Sequence, residues 1–271
     1  MQVKFCGIDA EQLCFSLNEE ELAKTINTQP ALFLTEMAIA KTLELEGISA
    51  NNSAGLSLGE YSSMCFSGAI SFEDTLKLVQ KRGTHMNNEI LPGNYAMVAV
   101  IGLDSKVVED ICSSEPGFIT PSNYNCPGQV VISGEKEIVE IAEEKFKEAG
   151  CKRYIYLNVT SPFHTEKLIN AKEKFEKDLE NVFFNTPQKR VYKNIDGTPY
   201  SENSNIREIL ANHITSPVYF ENCIQNMIND GINTFIEVGP GKTLSGFIKK
   251  TSKNVNTYQI ENLEDITKLK Q

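Results

Sequence analysis

The sequence predicts an α/β fold in which one core, residues 1–93 and 160–271, is interrupted by a smaller inserted unit over 94–159. Three observations lead there. At 271 residues the chain exceeds one average domain yet is short for two independent ones, which suits a core carrying an insertion. Between 94 and 159 the pattern runs strand, helix, strand, strand, helix, strand, the order of a split βαβ or ferredoxin-like unit. Outside those bounds, Gly55-Leu56-Ser57-Leu58-Gly59 has the form of a sharp strand-to-helix turn.

Taken in order, residues 29–46 place Leu32, Met37, Ala40 and Leu43 at mostly helical spacing, and Gly47 supplies a C-terminal stop. This predicts a buried helix. Ser71-Phe72-Glu73-Asp74 resembles a capping box and opens a second helix through Leu76, Leu78 and Val79 to Gly83, with Arg82 in its last turn. In the insert, AMVAVIGL reads as a strand, SKVVEDICSS as a short helix, and PSNYNCPG as loop around a strand. VVIS is a β-branched strand. EKEIVEIAEEKFKEAG is a helix with Ile138, Ile141, Ala142 and Phe146 on its apolar stripe, and YIYLNV closes the unit as a strand. Beyond it, helices are expected near 166–181 and 219–230, and NTFIEV reads as a strand before Gly239.

Lys plus Arg number 26 against 36 Asp plus Glu, a formal charge of −10, which argues against nucleic acid or an anionic membrane as partner. The seven cysteines are scattered without a C-x-x-C spacing, so neither a disulfide framework nor a zinc site is indicated, and reduced thiols, Cys6 included, are expected. The first residues lack the basic start and apolar run of a signal peptide, and no apolar stretch reaches the roughly 18 residues of a membrane span. A cytoplasmic monomer is expected.

The chemistry centres on Ser57. Glycines two residues to either side permit close backbone packing that pushes the serine hydroxyl outward at a helix N-terminus. There the Leu58 amide and the positive end of the helix dipole can stabilise an oxyanion. A serine nucleophile needs a base, and the chain has three histidines, His85, His164 and His213. His164, in the proline-constrained Ser161-Pro162-Phe163-His164 after the last strand of the insert, can face a cleft at a junction of units. His85 reads as a surface or packing residue and His213 as support for the loop Thr215-Ser216-Pro217. Two readings stand for Arg82: a solvated helix charge, or a guanidinium beside the nucleophile that takes a substrate carboxylate in paired hydrogen bonds. Gly239-Pro240-Gly241-Lys242-Thr243 ends like a phosphate-binding loop, but the required glycine at 236 is Ile236, so a nucleotide triphosphate site is rejected.

These segments, with Thr28-Gln29-Pro30-Ala31-Leu32, Glu60-Tyr61, Val79-Gln80-Lys81-Arg82-Gly83, Asn125-Cys126-Pro127-Gly128-Gln129 and Glu237-Val238-Gly239-Pro240-Gly241-Lys242, together resemble the malonyl-CoA:acyl-carrier-protein transacylase family. The resemblance runs from about Gly7 to Lys250. It implies an α/β-hydrolase-like catalytic domain with a ferredoxin-like insert. It also implies Ser57 as nucleophile, His164 as base and Arg82 as clamp for the malonyl carboxylate, with malonyl-CoA and acyl carrier protein as partners. No metal or redox cofactor is implied. The histidine would be oriented by a backbone carbonyl in the loop Ser216-Pro217-Val218-Tyr219. Gln29, Asn125 and Gln129 fall where the family lines its substrate cleft, and a loop-capping role for these amides stays equally open.

Two departures enter the expectation. Position 56 is Leu where many members carry His. Members also begin with a strand leading into Gly-Gln-Gly-Ser-Gln, which supplies the second oxyanion donor, and here Met1 aligns near the end of the family's first helical region. The chain is therefore expected to lack an inner strand and half of the oxyanion hole. Two rival functions remain at this stage, a hydrolase acting on acyl thioesters and an inactive relative that binds carrier protein. Against the hydrolase, His164 comes early in the chain, whereas ordinary α/β-hydrolases place theirs late.

Overall fold

A computed structural model of the protein describes residues 4–5, 7–89, 93–159 and 161–270; Cys6 lies outside them. The fold is mixed α/β. Among the described residues the largest sheet has five strands, in the spatial order Arg153–Tyr156, Tyr95–Ile101, Gln129–Glu135, Ile119–Cys126, Val218–Tyr219. Neighbours among the first four are antiparallel. The helices Ser105–Ser114 and Lys136–Glu148 cover one face, packing Val108, Cys112, Val139, Ala142 and Phe146 onto Val98, Val100 and Ile132.

The helix Lys136–Glu148 differs from its predicted stripe at one position. Val139, Ala142 and Phe146 are buried, whereas Ile141 is 61% exposed. Ile141 lies two residues, about 200° of helical rotation, from Val139 and so faces solvent. Of the segment read as loop around a strand, residues 121–126 belong to the strand Ile119–Cys126, which shifts register twice against Gln129–Glu135, and Pro127 and Gly128 form the turn between the two. The fifth strand, Val218–Tyr219, was not foreseen. It pairs parallel with Asn123 and Tyr124 and ties the sheet to the rest of the chain. On the sheet's other face, Met97, Ala99 and Val131 meet Val159 and Phe163, the residue before His164.

The remaining chain is mostly helical. The helix Thr25–Leu45 buries Gln29, Ala31, Phe33, Leu34 and Leu43, a face rotated from the predicted one. Leu32, Met37 and Ala40 are only partly buried. The helix opened by Ser71 runs Phe72–Asn88, past the Gly83 stop expected for it. Gly83 serves packing instead: a Cβ there would lie 2.9 Å from the Thr25 carbonyl oxygen, so its hydrogen lets two helices approach closely. Arg82 thus sits in mid-helix.

Parallel strands in this half are short and paired in twos. Asn52–Ser53 pairs with Arg190–Val191, and Thr234–Val238 with Asn256–Ile260. Between the two pairs lies an apolar cavity of about 410 Å³, bordered by residues 52–53 and 234–238 and lined by Met37, Ala40, Leu43, Phe66, Phe235 and Ile248. Three of the residues predicted to be core on the helix Thr25–Leu45, Met37, Ala40 and Leu43, face this space. Ser53 Oγ is buried here without a hydrogen-bond partner among the described residues.

Candidate active site

The elbow forms because position 55 cannot carry a side chain. A Cβ on Gly55 would fall 2.1 Å from the carbonyl carbon of Gly59, closer than any real contact. Gly59 itself has open space where a Cβ would stand, so the two flanking glycines have unequal roles. The tight turn drives Ser57 into the left-handed region, φ 54°, a conformation that a non-glycine residue keeps only when its surroundings impose it. Those surroundings are centred on Asn194, whose Oδ1 accepts the Ser57 N–H at 2.7 Å and whose Nδ2 donates to the Gly55 carbonyl at 2.8 Å. Leu58 follows in helical conformation and starts the helix Gly59–Phe66, so its amide stands at the positive end of that helix beside Ser57.

Ser57 Oγ lies 2.8 Å from His164 Nε2, and Arg82 Nη2 donates to the same oxygen at 3.0 Å. Donor logic sets the histidine tautomer. His164 Nδ1 is 2.9 Å from the His213 carbonyl, which can only accept, so Nδ1 carries the proton and Nε2 is the acceptor for the serine hydroxyl. His164 also has a positive φ, 60°. Both reacting residues are thus held in strained backbone, the kind that clusters at functional sites. Burial, with a smaller contribution from the nearby Arg82 charge, pushes His164 down to about 3, so the ring is neutral at neutral pH and able to take a proton.

The carbonyl at 2.9 Å belongs to His213, three residues before the loop expected to supply it, and Ser216 of that loop adds a second backbone hydrogen bond to His164. The physical reason is local. His213 caps the C-terminus of the helix Ile206–Asn212, where the last carbonyls have no intrahelical partner. The His213 ring stacks on that of His164, with centroids 5.1 Å apart. Its Nδ1 lies 3.4 Å from Glu60 Oε2.

Arg82 is 1% exposed, which rules out the solvated helix charge. Its Nη1 donates to Gln29 Oε1 at 2.8 Å, and its guanidinium stacks 5.2 Å above the Tyr61 ring centroid. Burial lowers its pKa, opposed by Tyr61 and Glu60. Ser57, His164, Arg82 and Gln29 therefore form one hydrogen-bonded group.

Asn125 and Gln129 stand apart from it: no hydrogen bond among the described residues joins them to that group. Asn125 is buried with Oδ1 unpartnered, whereas Gln129 Oε1 accepts from Lys250 Nζ at 3.0 Å. His85 pairs with Asp178 at 2.6 Å, a packing role as predicted. The rejected phosphate loop opens the helix Thr243–Thr251, whose first amides are taken internally: Glu237 accepts from the N–H of Leu244 and Ser245 at 2.9 and 2.8 Å.

Three site residues carry no recognisable signal of their role in the sequence. Glu60 stood inside a quoted motif without a role. Asn194 and Tyr200 lie in a loop with no motif, more than a hundred residues from the elbow that they reach, and carry no local signal.

Known proteins resemble this chain over nearly its whole length. The model of the acyl transferase domain family matches residues 4–269. The malonyl CoA-acyl carrier protein transacylase of Bacillus subtilis (strain 168) is 40% identical over 257 residues, covering 94% of this chain and 81% of that protein. The crystal structure of the corresponding protein from Clostridium perfringens ATCC 13124 superposes with a TM-score of 0.94 at 45% identity, covering 97% of this chain and 84% of that one. A type II polyketide-synthase acyl-carrier protein in complex with its malonyl-transacylase offers another match, with TM-score 0.92, 35% identity and coverage of 97% and 87%. On these matches and on the Ser57–His164–Arg82 geometry, the chain belongs to the malonyl-CoA:acyl-carrier-protein transacylase family.

Proposed function

We propose that this protein moves a malonyl group from malonyl-CoA to the phosphopantetheine thiol of an acyl carrier protein, through an ester on Ser57. The observation that carries this reading is the placement of Ser57 Oγ between a neutral base, His164 Nε2 at 2.8 Å, and a buried cation, Arg82 Nη2 at 3.0 Å.

His164 accepts the proton of Ser57 as Oγ attacks the thioester carbonyl, and the Leu58 amide with the start of its helix stabilises the oxyanion. The carbon–sulfur bond breaks and coenzyme A leaves with the proton from His164. In the second half the carrier thiol gives its proton to His164 and attacks the malonyl ester, and Ser57 recovers a proton as the carrier thioester departs. Arg82 turns its two terminal nitrogens from Gln29 and Ser57 toward the malonyl carboxylate, a pairing that an acetyl group cannot offer. Gln29 holds that guanidinium until the carboxylate arrives, and Asn125 and Gln129 line the approach to the site. No metal or redox cofactor takes part.

In this reading residues 94–159 are a ferredoxin-like subdomain, supported by the antiparallel strand order 4-1-3-2 within the insert, and residues 1–93 with 160–271 are the α/β-hydrolase-like catalytic domain. The protein acts as a cytoplasmic monomer. An acidic carrier docks on local basic surface, for which Lys152, Arg153, Lys189, Arg190, Lys249 and Lys250 are the candidates.

The test supplies malonyl-CoA with and without carrier protein and follows the products. Carrier-dependent malonyl-carrier formation is expected, and free malonate released at the same rate without carrier would make the protein a hydrolase. Arg82→Ala should weaken malonyl transfer and relatively favour acetyl transfer; an unchanged malonyl preference would exclude the clamp.

A further inference from the structure

One carboxylate reaches both halves of the nucleophile–base pair. Glu60, in the first turn of the helix Gly59–Phe66, is 0% exposed. Its Oε2 accepts the Asn194 backbone N–H at 2.9 Å and packs against His213 Nδ1 at 3.4 Å without a hydrogen bond, and its Oε1 accepts the Tyr200 hydroxyl at 2.5 Å. Asn194 in turn holds the Ser57 amide and the Gly55 carbonyl. His213 holds the His164 imidazole on its carbonyl and against its ring. Nucleophile and base are thus each one residue away from the same buried oxygen.

We propose that Glu60 is a positioning residue for the acyl transfer, fixing Asn194 and His213 in the relative placement that brings Ser57 Oγ within 2.8 Å of His164 Nε2. The inference rests on the assignment of Ser57 and His164 as nucleophile and base. It makes the ionised form of Glu60 the working one. A carboxylate accepts from both Asn194 and Tyr200. When Oε1 is protonated the Tyr200 hydroxyl turns to accept, and the Asn194 N–H loses the charge-assisted bond that held it most strongly.

The groups that face Glu60 are Arg82 from the helix Phe72–Asn88, Asp196 and Tyr200 from the loop after Arg190–Val191, His213 after the helix Ile206–Asn212, Cys223 from the helix Phe220–Asn229, and Tyr61 on its own helix. Burial dominates over the hydrogen bonds and the Arg82 charge and pushes Glu60 up to about 7. His164, pushed down to about 3, does not titrate in that range. Glu36, bonded to Ser62 and also pushed up to about 7, provides the control.

The experiment measures single-turnover formation of malonyl-serine from malonyl-CoA between about pH 5.5 and 8.5 for the wild-type protein and for Glu60→Gln, Tyr200→Phe and Glu36→Gln. The wild-type rate should fall as pH drops through about 7. Glu60→Gln should be slower at pH 8, on the order of 10- to 100-fold as for a displaced reacting pair. It should keep its half-saturating malonyl-CoA concentration within about twofold and lose the acid limb. Tyr200→Phe removes one hydrogen bond to the carboxylate and should move the limb to higher pH. Glu36→Gln should keep the limb in place.

A wild-type rate in Glu60→Gln, a limb that survives in it, or a limb that vanishes in Glu36→Gln would overturn the proposal. If Glu60→Gln fails to fold, Tyr200→Phe decides, and an unmoved limb counts against it. Absence of malonyl-serine in the wild-type protein at pH 8 would instead overturn the nucleophile assignment, and this inference with it.

Discussion

The five-stranded sheet and the elbow are built on opposite principles. In the sheet, the antiparallel strands Tyr95–Ile101 and Gln129–Glu135 pair along seven residues, with a continuous apolar layer beneath them. Around Ser57, the local strand is two residues long, and the geometry depends on single side chains: Asn194 across the turn, Glu60 behind it and the carbonyl of His213. The first arrangement spreads its stability over many equivalent contacts. The second concentrates precision in a few polar bonds, each without a substitute. Damage to the sheet should therefore appear as lost stability, and damage to the elbow as lost rate.

Gly55→Ala should have the largest effect, because its Cβ would meet the Gly59 backbone at 2.1 Å. The turn must open, and a loss on the order of 10²-fold or more in malonyl-serine formation is expected, with destabilisation of about 1–3 kcal/mol from overpacking. Rapid-quench kinetics with a denaturant melt separates the two. Asn194→Ala tests the same region without a clash. It removes the acceptor for the Ser57 amide and the donor to Gly55, and acylation should slow about 10- to 100-fold while much of the melting temperature survives. A variant that simply unfolds without a specific loss of rate would weaken the contrast.

Ile132→Ala probes the other region. Ile132 is fully buried in the sheet, so about 2–5 kcal/mol of stability should be lost in a urea melt, with the turnover of the folded fraction within about twofold. A rate loss larger than the folded fraction explains would show that the sheet shapes the site directly.

The smallest effect is electrostatic. Burial raises both Glu36 and Glu60 from 4.5 to about 7. Each is therefore favoured in its protonated form by folding, a contribution fully present below about 4.5 and lost as pH rises through about 7. Between pH 6 and 8 the melting temperature should fall by a few degrees, on the order expected for about one kcal/mol in a chain of this size. Glu36→Gln should flatten part of that fall. A melting temperature that rises over the same interval would contradict the sign.

The same contrast explains what could be read in the sequence. SKVVEDICSS and VVIS carry their structure in their own periodicity and branching, and the helix Ser105–Ser114 falls where the pattern put it. Gly83 and Ile141 show the limits of that approach. A glycine serving close helix packing looks the same as a helix stop, and a stripe read one residue off selects a solvent-facing isoleucine. Ser57, His164 and Arg82 were legible because each sits in a short motif with chemical meaning, and Gln29 joined them through the motif Thr28-Gln29-Pro30. Their supports were not. Asn194 and Tyr200 act on the elbow from a loop far along the chain, and His213 contributes its backbone carbonyl, which no side-chain identity encodes. Only the fold brings these groups together.

The central claim is that Ser57 carries the malonyl group, and intact-mass spectrometry after brief exposure to malonyl-CoA tests it most directly. One malonyl adduct is expected on the wild-type protein, located to the peptide containing Ser57, discharged on addition of carrier protein and absent from a folded Ser57→Ala variant. An adduct that persists in Ser57→Ala, or that maps to another residue, would contradict it.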